Sequence, residues 1–255
     1  MTTPDGPLLR IQNVSKSFGG LCVIDDVSFD IKLGERTALI GPNGAGKTTL
    51  FNLISGVYEI DSGIMELDGQ NLATIPARER VRAGLARSFQ NIRLMPHLST
   101  VENVMLGQHS VAGGAGLLFP LGLTRNRWVK AAEAALEDAG LETYPGQVVA
   151  DLPYGIQKRI EVVRAMVAEP QLLLLDEPAA GLNPTETREL LGLLERISDN
   201  GVTLLVVEHD MHFVRQLCQD VVVLNFGRMI YHGSADGAMK DSAVLEAYLG
   251  SNDAA

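Results

Sequence analysis

A glycine-rich segment that ends in a lysine and a threonine carries the clearest chemistry in the sequence. Residues 41–48 read Gly-Pro-Asn-Gly-Ala-Gly-Lys-Thr, after a short apolar run at 36–40 and before a helical pattern over Lys47–Ile54. Glycines let the backbone wrap until its N–H groups point at phosphate oxygens, and the start of a helix adds its positive end to the same anion. The segment predicts a nucleoside triphosphate site, with Lys47 on the β- and γ-phosphates and the Thr48 hydroxyl on Mg²⁺.

Two other structures could use the same glycines. One is a plain turn between a strand and a helix, against which the Lys-Thr pair and the flanking elements argue. The other is a dinucleotide-binding loop, but that loop requires G-x-G-x-x-G, whereas the glycines here are Gly41, Gly44 and Gly46. Nucleotide binding alone does not define an activity, because GTPases, kinases and helicase-like motors share such a loop.

Two adjacent acids follow an apolar run that predicts a buried strand. Leu172–Leu175 is followed by Asp176 and Glu177. Ionised carboxylates are costly to bury unless they are paired or bind a metal. We therefore expect Asp176 to hold Mg²⁺, directly or through water, and Glu177 to act as the general base on an attacking water. The alternative is that both carboxylates only cap a following helix.

A histidine follows the next apolar run in a similar way. His209 comes after Val202–Val207 and Glu208, at the end of a predicted neighbouring strand, where open α/β sheets place their ligands. A neutral imidazole there could hydrogen-bond the γ-phosphate and hold the water. The alternative is a metal site shared with His212.

The elements around these residues mix two patterns. Leu8–Val14 and Leu21–Leu33 predict strands of an antiparallel lobe, and the later strands alternate with helices, which indicates a mainly parallel sheet. From about residue 76 to residue 160, charged and alanine-rich helical patterns such as Trp128–Ala139 replace the strands. We interpret this stretch as a helical lobe inserted into an α/β core.

Composition limits the possible functions. With 46% apolar residues in 255, the chain can bury a sizeable core, and its net charge of −10 argues against binding nucleic acid through bulk electrostatics. Its apolar runs are far shorter than the about 20 residues of a bilayer span, so the chain is not expected to cross a membrane by itself. Cys22 and Cys218 lack partners at metal-site spacing and are expected to be two buried thiols.

In order and approximate spacing, these segments resemble the ATPases of ABC transporters from Leu9 to Gly250. The resemblance implies an α/β fold: a P-loop NTPase core with a mainly parallel sheet, an N-terminal antiparallel β lobe and an inserted helical lobe. It divides the single domain into a core at 8–90 and 161–250 and a helical lobe at 91–160. The matching segments are 41–48, Gln90 in Arg87-Ser88-Phe89-Gln90, Leu152–Gln157, Leu172–Pro178 and His209.

The resemblance also assigns roles to individual residues. Gln90 would touch Mg²⁺ and the water, and would join Glu177 and His209 in catalysis. Phe18 would stack on adenine. Mg²⁺ would be held by Thr48, Gln90 and Asp176. ATP would be bound by Gly41, Pro42, Asn43, Gly44, Ala45, Gly46, Lys47, Thr48 and Thr49, and by Leu152 and Gly155 of a partner chain.

The sequence departs from the family in its signature segment. Leu152–Ile156 reads Leu-Pro-Tyr-Gly-Ile where the family has L-S-G-G-Q. Pro153 has neither a hydroxyl nor an N–H, so it cannot make the usual bond to the γ-phosphate of the partner's ATP. Proline suits the first turn of a helix, and the backbone N–H groups of that turn could bind the phosphate instead. The family commonly has Asp where this chain has Asn183. Because asparagine is uncharged, a contact expected across the dimer carries one negative charge less.

A narrower resemblance points to the ATPases of branched-chain amino-acid importers. It rests on Leu-x-Tyr-Gly at 152–155, Val206–Met211, Ala247–Gly250 and an insert at Gly113–Arg127. It implies a subunit at the cytoplasmic face of the inner or plasma membrane that drives a permease, with a solute-binding protein involved indirectly. The helical lobe after Gln90 is expected to carry the permease groove.

The resemblance leaves several alternatives open. The dimer could be a homodimer or a heterodimer with a second ABC ATPase. The solute could instead be urea or an amide. Leu117–Leu123 could form part of a docking surface or a self-packed loop. Other classes are a soluble ABC ATPase of DNA repair or translation, and a non-hydrolysing nucleotide switch.

Overall fold

The computed structural model describes residues 6–88, 92–112, 123–141, 144 and 146–249, which form two β-sheets with helices packed against them. The strands, numbered in chain order, are β1 (Leu9–Phe18), β2 (Leu21–Ile31), β3 (Arg36–Ile40), β4 (Ser62–Leu67), β5 (Gln70–Asn71), β6 (Leu85–Arg87), β7 (Leu172–Asp176), β8 (Thr203–Val207), β9 (Asp220–Asn225) and β10 (Arg228–Gly233). The helices are α1 (Lys47–Ser55), α2 (Thr100–Ala112), α3 (Leu123–Asp138), α4 (Tyr154–Met166), α5 (Pro184–Asp199), α6 (Met211–Leu217), α7 (Ala235–Ala238) and α8 (Ser242–Leu249).

The N-terminal sheet has the order β2-β1-β4-β5 and is antiparallel, as predicted. β1 continues to Phe18 instead of ending at Val14, because its pairing with β2 runs through register shifts to the Phe18–Leu21 pair. Gly19 and Gly20 form the turn, and both have positive φ, the conformation that glycine adopts most readily.

The main sheet has the order β10-β9-β3-β8-β7-β6 and is parallel from β9 to β6, with β10 antiparallel to β9. Every residue of β7 and β8 is buried. On β7, Leu173 and Leu175 face a core shared with α2–α6, whereas Leu172 and Leu174 face a core shared with β1, β2 and α1. Because both faces are covered, these strands are continuously apolar, and the predicted mainly parallel sheet is confirmed.

The inserted stretch is helical, as predicted, with one exception. α2 packs against α3 and α4, and Gly107 allows the close approach because a Cβ there would overlap the carbonyl oxygen of Arg164 on α4. The exception is β6, which pairs with β7 as the edge of the main sheet. Three residues are too few to show a strand period in the sequence. Residues 117–122 of the segment Leu117–Leu123 lie outside the described residues.

Among the described residues, the longest helices are α3 and α5, with 16 residues each. Within the described ranges, no helix is both long enough and apolar enough to cross a membrane.

The two cysteines differ in environment. Cys218 is buried, and its burial raises the pKa of the thiol to about 12. Cys22 is exposed, so the prediction of two buried thiols is wrong for this residue. It lies at the start of β2, where the strand extends beyond the core and its first two residues are exposed.

Candidate active site

Three adjacent parallel strands bring the predicted chemical groups to one edge of the main sheet. β3 leads into the glycine loop, β7 ends at Asp176 and precedes Glu177, and β8 precedes Glu208 and His209. β8 lies between β3 and β7, and parallel strands present their carboxyl ends at the same edge. The structure therefore gathers the loop, the acidic pair and the histidine in one place.

The glycine loop is tight because two of its glycines leave no room for a side chain. A Cβ at Gly41 would overlap the carbonyl oxygen of Leu224, and one at Gly46 would lie 2.8 Å from Ile24 Cδ1. The φ angles of the two glycines, 147° and 103°, also favour glycine. Gly46 is the N-cap of α1, and none of the described side chains caps that helix. Its first N–H groups are therefore available to an anion at the loop.

Lys47, the first residue of α1, holds its ammonium over the loop. Nζ donates hydrogen bonds to the carbonyl oxygens of Gly41 at 2.6 Å and Pro42 at 2.9 Å. Burial lowers the pKa of Lys47, and the nearby Glu177 carboxylate raises it in part. The ammonium thus lies within electrostatic reach of both the loop and Glu177 at the end of β7.

The remaining loop residues differ in exposure. Asn43, Gly44 and Thr48 are exposed, and Thr49 is half-buried in the first turn of α1. Ala45 is buried, and its carbonyl oxygen accepts a 3.0 Å hydrogen bond from the backbone of the β9–β10 turn. The Thr48 hydroxyl is therefore accessible to a bound cation.

Asp176 is buried and is fixed by an arginine to which the sequence analysis assigned no role. Arg87 Nη2 donates to Asp176 Oδ2 at 2.8 Å, and Nη1 donates to Asn52 Oδ1 and Ser55 Oγ, each at 2.8 Å. Arg87 thus joins β6, β7 and α1, the helix that begins at the glycine loop. Among the described residues only Oδ2 of Asp176 is engaged in this way, so Oδ1 is available to a cation or its water.

Glu177 has a strained backbone. Its φ is 45°, a conformation that costs a non-glycine residue roughly 1–2 kcal/mol. Its N–H donates to the Val207 carbonyl oxygen at 2.9 Å, which ties the chain after β7 to the end of β8. His209 Nδ1 lies 4.0 Å from Glu177 Oε1, and the imidazole is 66% exposed. Strain maintained by neighbouring structure is typical of functional sites.

Glu208 is a second residue that the sequence analysis did not single out. Its buried carboxylate accepts hydrogen bonds from the backbone N–H of Ala179 at 2.9 Å, of His209 at 3.1 Å and of Asp210 at 3.5 Å. Burial raises the pKa of Glu208, and these hydrogen bonds lower it in part. The carboxylate connects the loop after Glu177 with the segment that carries His209.

The donor set fits Mg²⁺ better than a metal held by protein alone. In the described part of the chain, no group of three or more His, Cys, Asp or Glu side chains could hold a metal ion. Mg²⁺ keeps several waters and is usually bound by one or two protein ligands together with substrate phosphates. Asp176 Oδ1 and the Thr48 hydroxyl suit that role. His212 Nε2 lies 3.0 Å from Gln216 Nε2, which does not support a shared metal site with His209.

Phe18 presents an exposed ring, 39% accessible, at the end of β1. Tyr58, another residue that the sequence analysis missed, packs edge-on against it with the ring centroids 5.0 Å apart. Lys16 Nζ lies 5.4 Å from the centroid of Phe18 and donates to Asp61 at 2.6 Å. The following strand, β2, lies against Gly46 of the glycine loop. An accessible aromatic ring near this loop is suited to stacking on a base.

The segment Leu152–Gln157 forms the start of α4. Pro153 is the N-cap with an extended ψ of 148°, so it lies one residue before the predicted first turn. None of the described side chains caps α4, and its first N–H groups can therefore bind an anion. The Leu152 side chain is buried, and its carbonyl oxygen accepts a 2.8 Å hydrogen bond from Gln157 Nε2. Leu152 therefore positions the start of the helix.

Gly155 lies against the start of α5 in its own chain. A Cβ there would be 2.6 Å from Glu186 Cγ. Asn183 is the N-cap of α5 and Pro184 its first residue, and Asn183 and Glu186 form a reciprocal capping box. A side chain at Gly155 would disturb this cap. A substitution at Gly155 would therefore disturb the start of α5 in the same chain as well as contacts with a partner.

Gln90, predicted to contact Mg²⁺ and the water, lies outside the described residues, between β6 and α2.

Comparison with known proteins decides the family. The family model described as ABC transporter matches residues 24–180, which include the glycine loop, Asp176 and Glu177. The chain belongs to the ABC transporter family. Within that family it is the ATP-binding subunit, and its activity is ATP hydrolysis coupled to transport.

This ABC subunit is similar to named relatives along nearly its whole length. It is 37% identical over 250 residues to the high-affinity branched-chain amino acid transport ATP-binding protein BraF of Pseudomonas aeruginosa, a match that covers 96% of this chain and 98% of BraF. LivG of Escherichia coli, also described as a high-affinity branched-chain amino acid transport ATP-binding protein, is 37% identical over 250 residues, and this match too covers 96% of this chain and 98% of the relative.

Solved structures confirm the fold of the ABC subunit. The ADP conformation of MJ1267, an ATP-binding cassette of an ABC transporter, superposes with a TM-score of 0.85 at 27% identity and covers 96% of this chain and 99% of that one. The structure of cbiO1 from Clostridium perfringens, part of the transporter complex cbiONQ, gives 0.81 at 26% identity over 95% and 94% of the two chains.

Proposed function

We propose that this ABC subunit is the motor of an importer for branched-chain or other hydrophobic amino acids. The observation that carries the proposal is the end-to-end match to BraF and LivG, both named for high-affinity branched-chain amino acid transport. The subunit would be peripheral at the cytoplasmic face of the membrane and bound to a permease, which receives solute from a solute-binding protein.

Hydrolysis requires groups that bind the phosphates, hold a water and take its proton. The backbone N–H groups of residues 41–48 and the Lys47 ammonium bind the phosphates. Glu177 accepts the proton of the attacking water. His209, whose Nδ1 lies 4.0 Å from Glu177 Oε1, donates a hydrogen bond to the γ-phosphate and holds the water. Glu208 holds the two loops that carry these groups.

The proposed Mg²⁺ ligands are Thr48, Gln90 and Asp176. When bound, Mg²⁺ supplies positive charge against the phosphoryl group that is transferred. Arg87 orients Asp176 by its 2.8 Å bond to Oδ2. Phe18 stacks on adenine and thereby sets where the phosphates meet the loop.

The subunit is proposed to form a head-to-tail dimer with another copy or with a related ABC ATPase. Each ATP then lies between the glycine loop of one chain and the start of α4 of the other. Because Pro153 has no N–H, the N–H groups of the next residues of α4 make this contact, assisted by the helix dipole.

Replacing Tyr154 by glutamate tests that contact. Tyr154 is the exposed first residue of α4, so the change puts a negative charge where the partner's γ-phosphate would bind, without the overlap expected at Gly155. A glutamate at this position also suits the helix dipole, so folding is retained. ATP-driven dimerisation, followed by size-exclusion chromatography, and ATPase activity should fall by about 10-fold or more.

Nucleotide binding by the monomer should persist in Tyr154→Glu. The matched control is Ala134→Glu, the same charge on the exposed face of α3, which should leave both measurements unchanged. Wild-type ATPase activity in Tyr154→Glu would remove α4 from the proposed shared site.

A groove between the helical lobe and the main sheet is the proposed site for the permease. It has a volume of about 410 Å³, and its lining combines apolar residues such as Met95, Leu106 and Ala165 with the charged residues Arg87, Glu161 and Arg164. Met95 and Leu106 are exposed, and their apolar surface suits the apolar face of a helix. A helix of the permease at its cytoplasmic side is the proposed occupant.

Met95→Glu should separate permease binding from ATP hydrolysis. A charge in the groove should lower the amount of permease that co-purifies in mild detergent by about 10-fold, while the ATPase activity of the isolated subunit stays within about twofold. Met239→Glu, at a similarly exposed methionine near the C-terminus, is the control. Full co-purification of Met95→Glu would place the permease elsewhere.

Transport by the complete complex tests the proposal as a whole. Vesicles that contain the permease and this subunit, with ATP inside and the solute-binding protein outside, should take up labelled leucine or isoleucine, and the Glu177→Gln variant should not. Uptake of urea or a short amide instead would favour the related importers. ATPase activity without any co-purifying permease would favour a soluble ABC ATPase.

A further inference from the structure

The ring of Phe18 at the end of β1 is held by two neighbouring side chains. A phenylalanine ring that is 39% exposed can turn about its side-chain bonds unless neighbours fix it. A ring that turns freely loses this freedom when a ligand stacks on it, which weakens binding. The contacts around Phe18 therefore determine how far the proposed adenine site is organised before ATP binds.

Tyr58 makes the first of these contacts. Its ring meets the ring of Phe18 at an interplanar angle of 70° with the centroids 5.0 Å apart, the edge-to-face arrangement that aromatic pairs prefer. Tyr58 is itself 39% exposed. Because both rings lie at the surface, their contact restricts the orientations of Phe18 more than it adds to the core.

Lys16 makes the second contact. Its Nζ lies over the ring of Phe18, 5.4 Å from the centroid, and donates a 2.6 Å hydrogen bond to Asp61 Oδ1. Asp61 Oδ2 accepts the backbone N–H of Ser17 at 2.7 Å, and the N–H of Asp61 donates to the Ser15 carbonyl oxygen at 3.0 Å. The segment that follows α1 is thus bound to β1 at the residues just before Phe18.

The end of α1 fixes the position of Tyr58. The N–H groups of Val57 and Tyr58 donate to the carbonyl oxygen of Asn52 in the last turn of α1, at 2.8 Å and 3.2 Å. The side chain of Asn52 accepts a 2.8 Å hydrogen bond from Arg87, which also binds Asp176. Because α1 begins at the glycine loop, one short helix relates the aromatic pair to the phosphate loop and to a proposed Mg²⁺ ligand.

We infer that Tyr58 is a positioning residue of the base site, which holds the Phe18 ring in the orientation in which adenine stacks on it. The inference rests on the proposed stacking of adenine on Phe18 and adds the residue that organises it. Tyr58 then affects nucleotide binding and not the chemical step, because Glu177 and the proposed Mg²⁺ ligands act at the phosphate end of ATP.

Tyr58→Ala should raise the KM for ATP by about 3- to 10-fold, in line with the energies of aromatic pairs, while kcat stays within about twofold. Tyr58→Phe keeps the ring and should retain the wild-type KM. Tripolyphosphate, which has the phosphates but no base, is the discriminating probe. Its inhibition constant against ATP hydrolysis should stay within about twofold in Tyr58→Ala. Val57→Ala, at an exposed neighbouring position, is the control.

A double-mutant cycle with Phe18→Ala completes the test. Because Tyr58 acts through Phe18, Tyr58→Ala should not raise KM further once Phe18 is replaced. The full additional loss in that background, an equal weakening of tripolyphosphate binding, or a wild-type KM in Tyr58→Ala would each overturn the inference. A wild-type KM in Phe18→Ala alone would instead refute the proposed stacking, so the two failures are distinguishable.

Discussion

Glu177→Gln should lower the kcat of ATP hydrolysis by about 10²–10⁴-fold, the usual contribution of a general base. Glutamine has the shape of glutamate but cannot take the proton from the attacking water. The groups proposed to bind ATP, including Lys47 and the loop amides, are unchanged. ATP-bound dimers should therefore accumulate, and steady-state turnover and size-exclusion chromatography with ATP measure the two effects.

The backbone at Glu177 makes this substitution informative. The residue has a φ of 45°, and an isosteric side chain leaves that strain as it was. Glu195→Gln, at an exposed position of α5, is the matched control and should keep wild-type turnover. A kcat within about threefold of wild type would contradict the role of Glu177 as the base. Such a result would assign the proton of the attacking water to another group at the site.

Arg80→Met should lower the free energy of unfolding by about 3–5 kcal/mol. Arg80 is only 5% exposed, and its guanidinium donates to the carbonyl oxygens of Leu53 at 2.7 Å, Ile54 at 2.6 Å, Leu72 at 2.7 Å and Ile75 at 3.1 Å. Two of these carbonyls belong to the last turn of α1, which begins at the glycine loop. Methionine leaves all four without this donor.

Thermal and urea unfolding measure the effect. At about 2–4 °C for each kcal/mol in a chain of this size, the melting temperature should fall by about 10 °C. Arg78→Met, two residues earlier with an 85% exposed side chain, should change the unfolding free energy by less than about 0.5 kcal/mol. An Arg80→Met variant as stable as this control would show that water replaces the guanidinium at the end of α1.

The sequence predicted the parts of the site that depend on local geometry. Gly41 and Gly46 are set by the shape of the loop itself, and the acids after Leu172–Leu175 stand out because a carboxylate is costly at the end of a buried strand. The capping of α5 by Asn183 likewise needs only residues within one turn. These features can be predicted without knowing which helices and strands pack together.

Contacts between elements far apart in the chain could not be predicted from the sequence. Arg87 and Asp176 are 89 positions apart, and Tyr58 meets Phe18 only because α1 and β1 end at the same place. β6 was hidden in a helical stretch, since a three-residue strand has no measurable period. The exposure of Cys22 depends on how far the β1–β2 hairpin extends beyond the core.

By itself, the sequence determined the nucleotide chemistry and the family resemblance. Both depend on residues close together in the chain: the glycine loop at 41–48 and the acids that follow the strand residues Leu172–Leu175. The tertiary structure decided the arrangement that supports them. Only the fold brings Arg87 onto Asp176, Arg80 under α1 and Glu186 against Gly155. The physical reason is that burial and pairing of charge depend on packing between elements far apart in the chain, which no local pattern records.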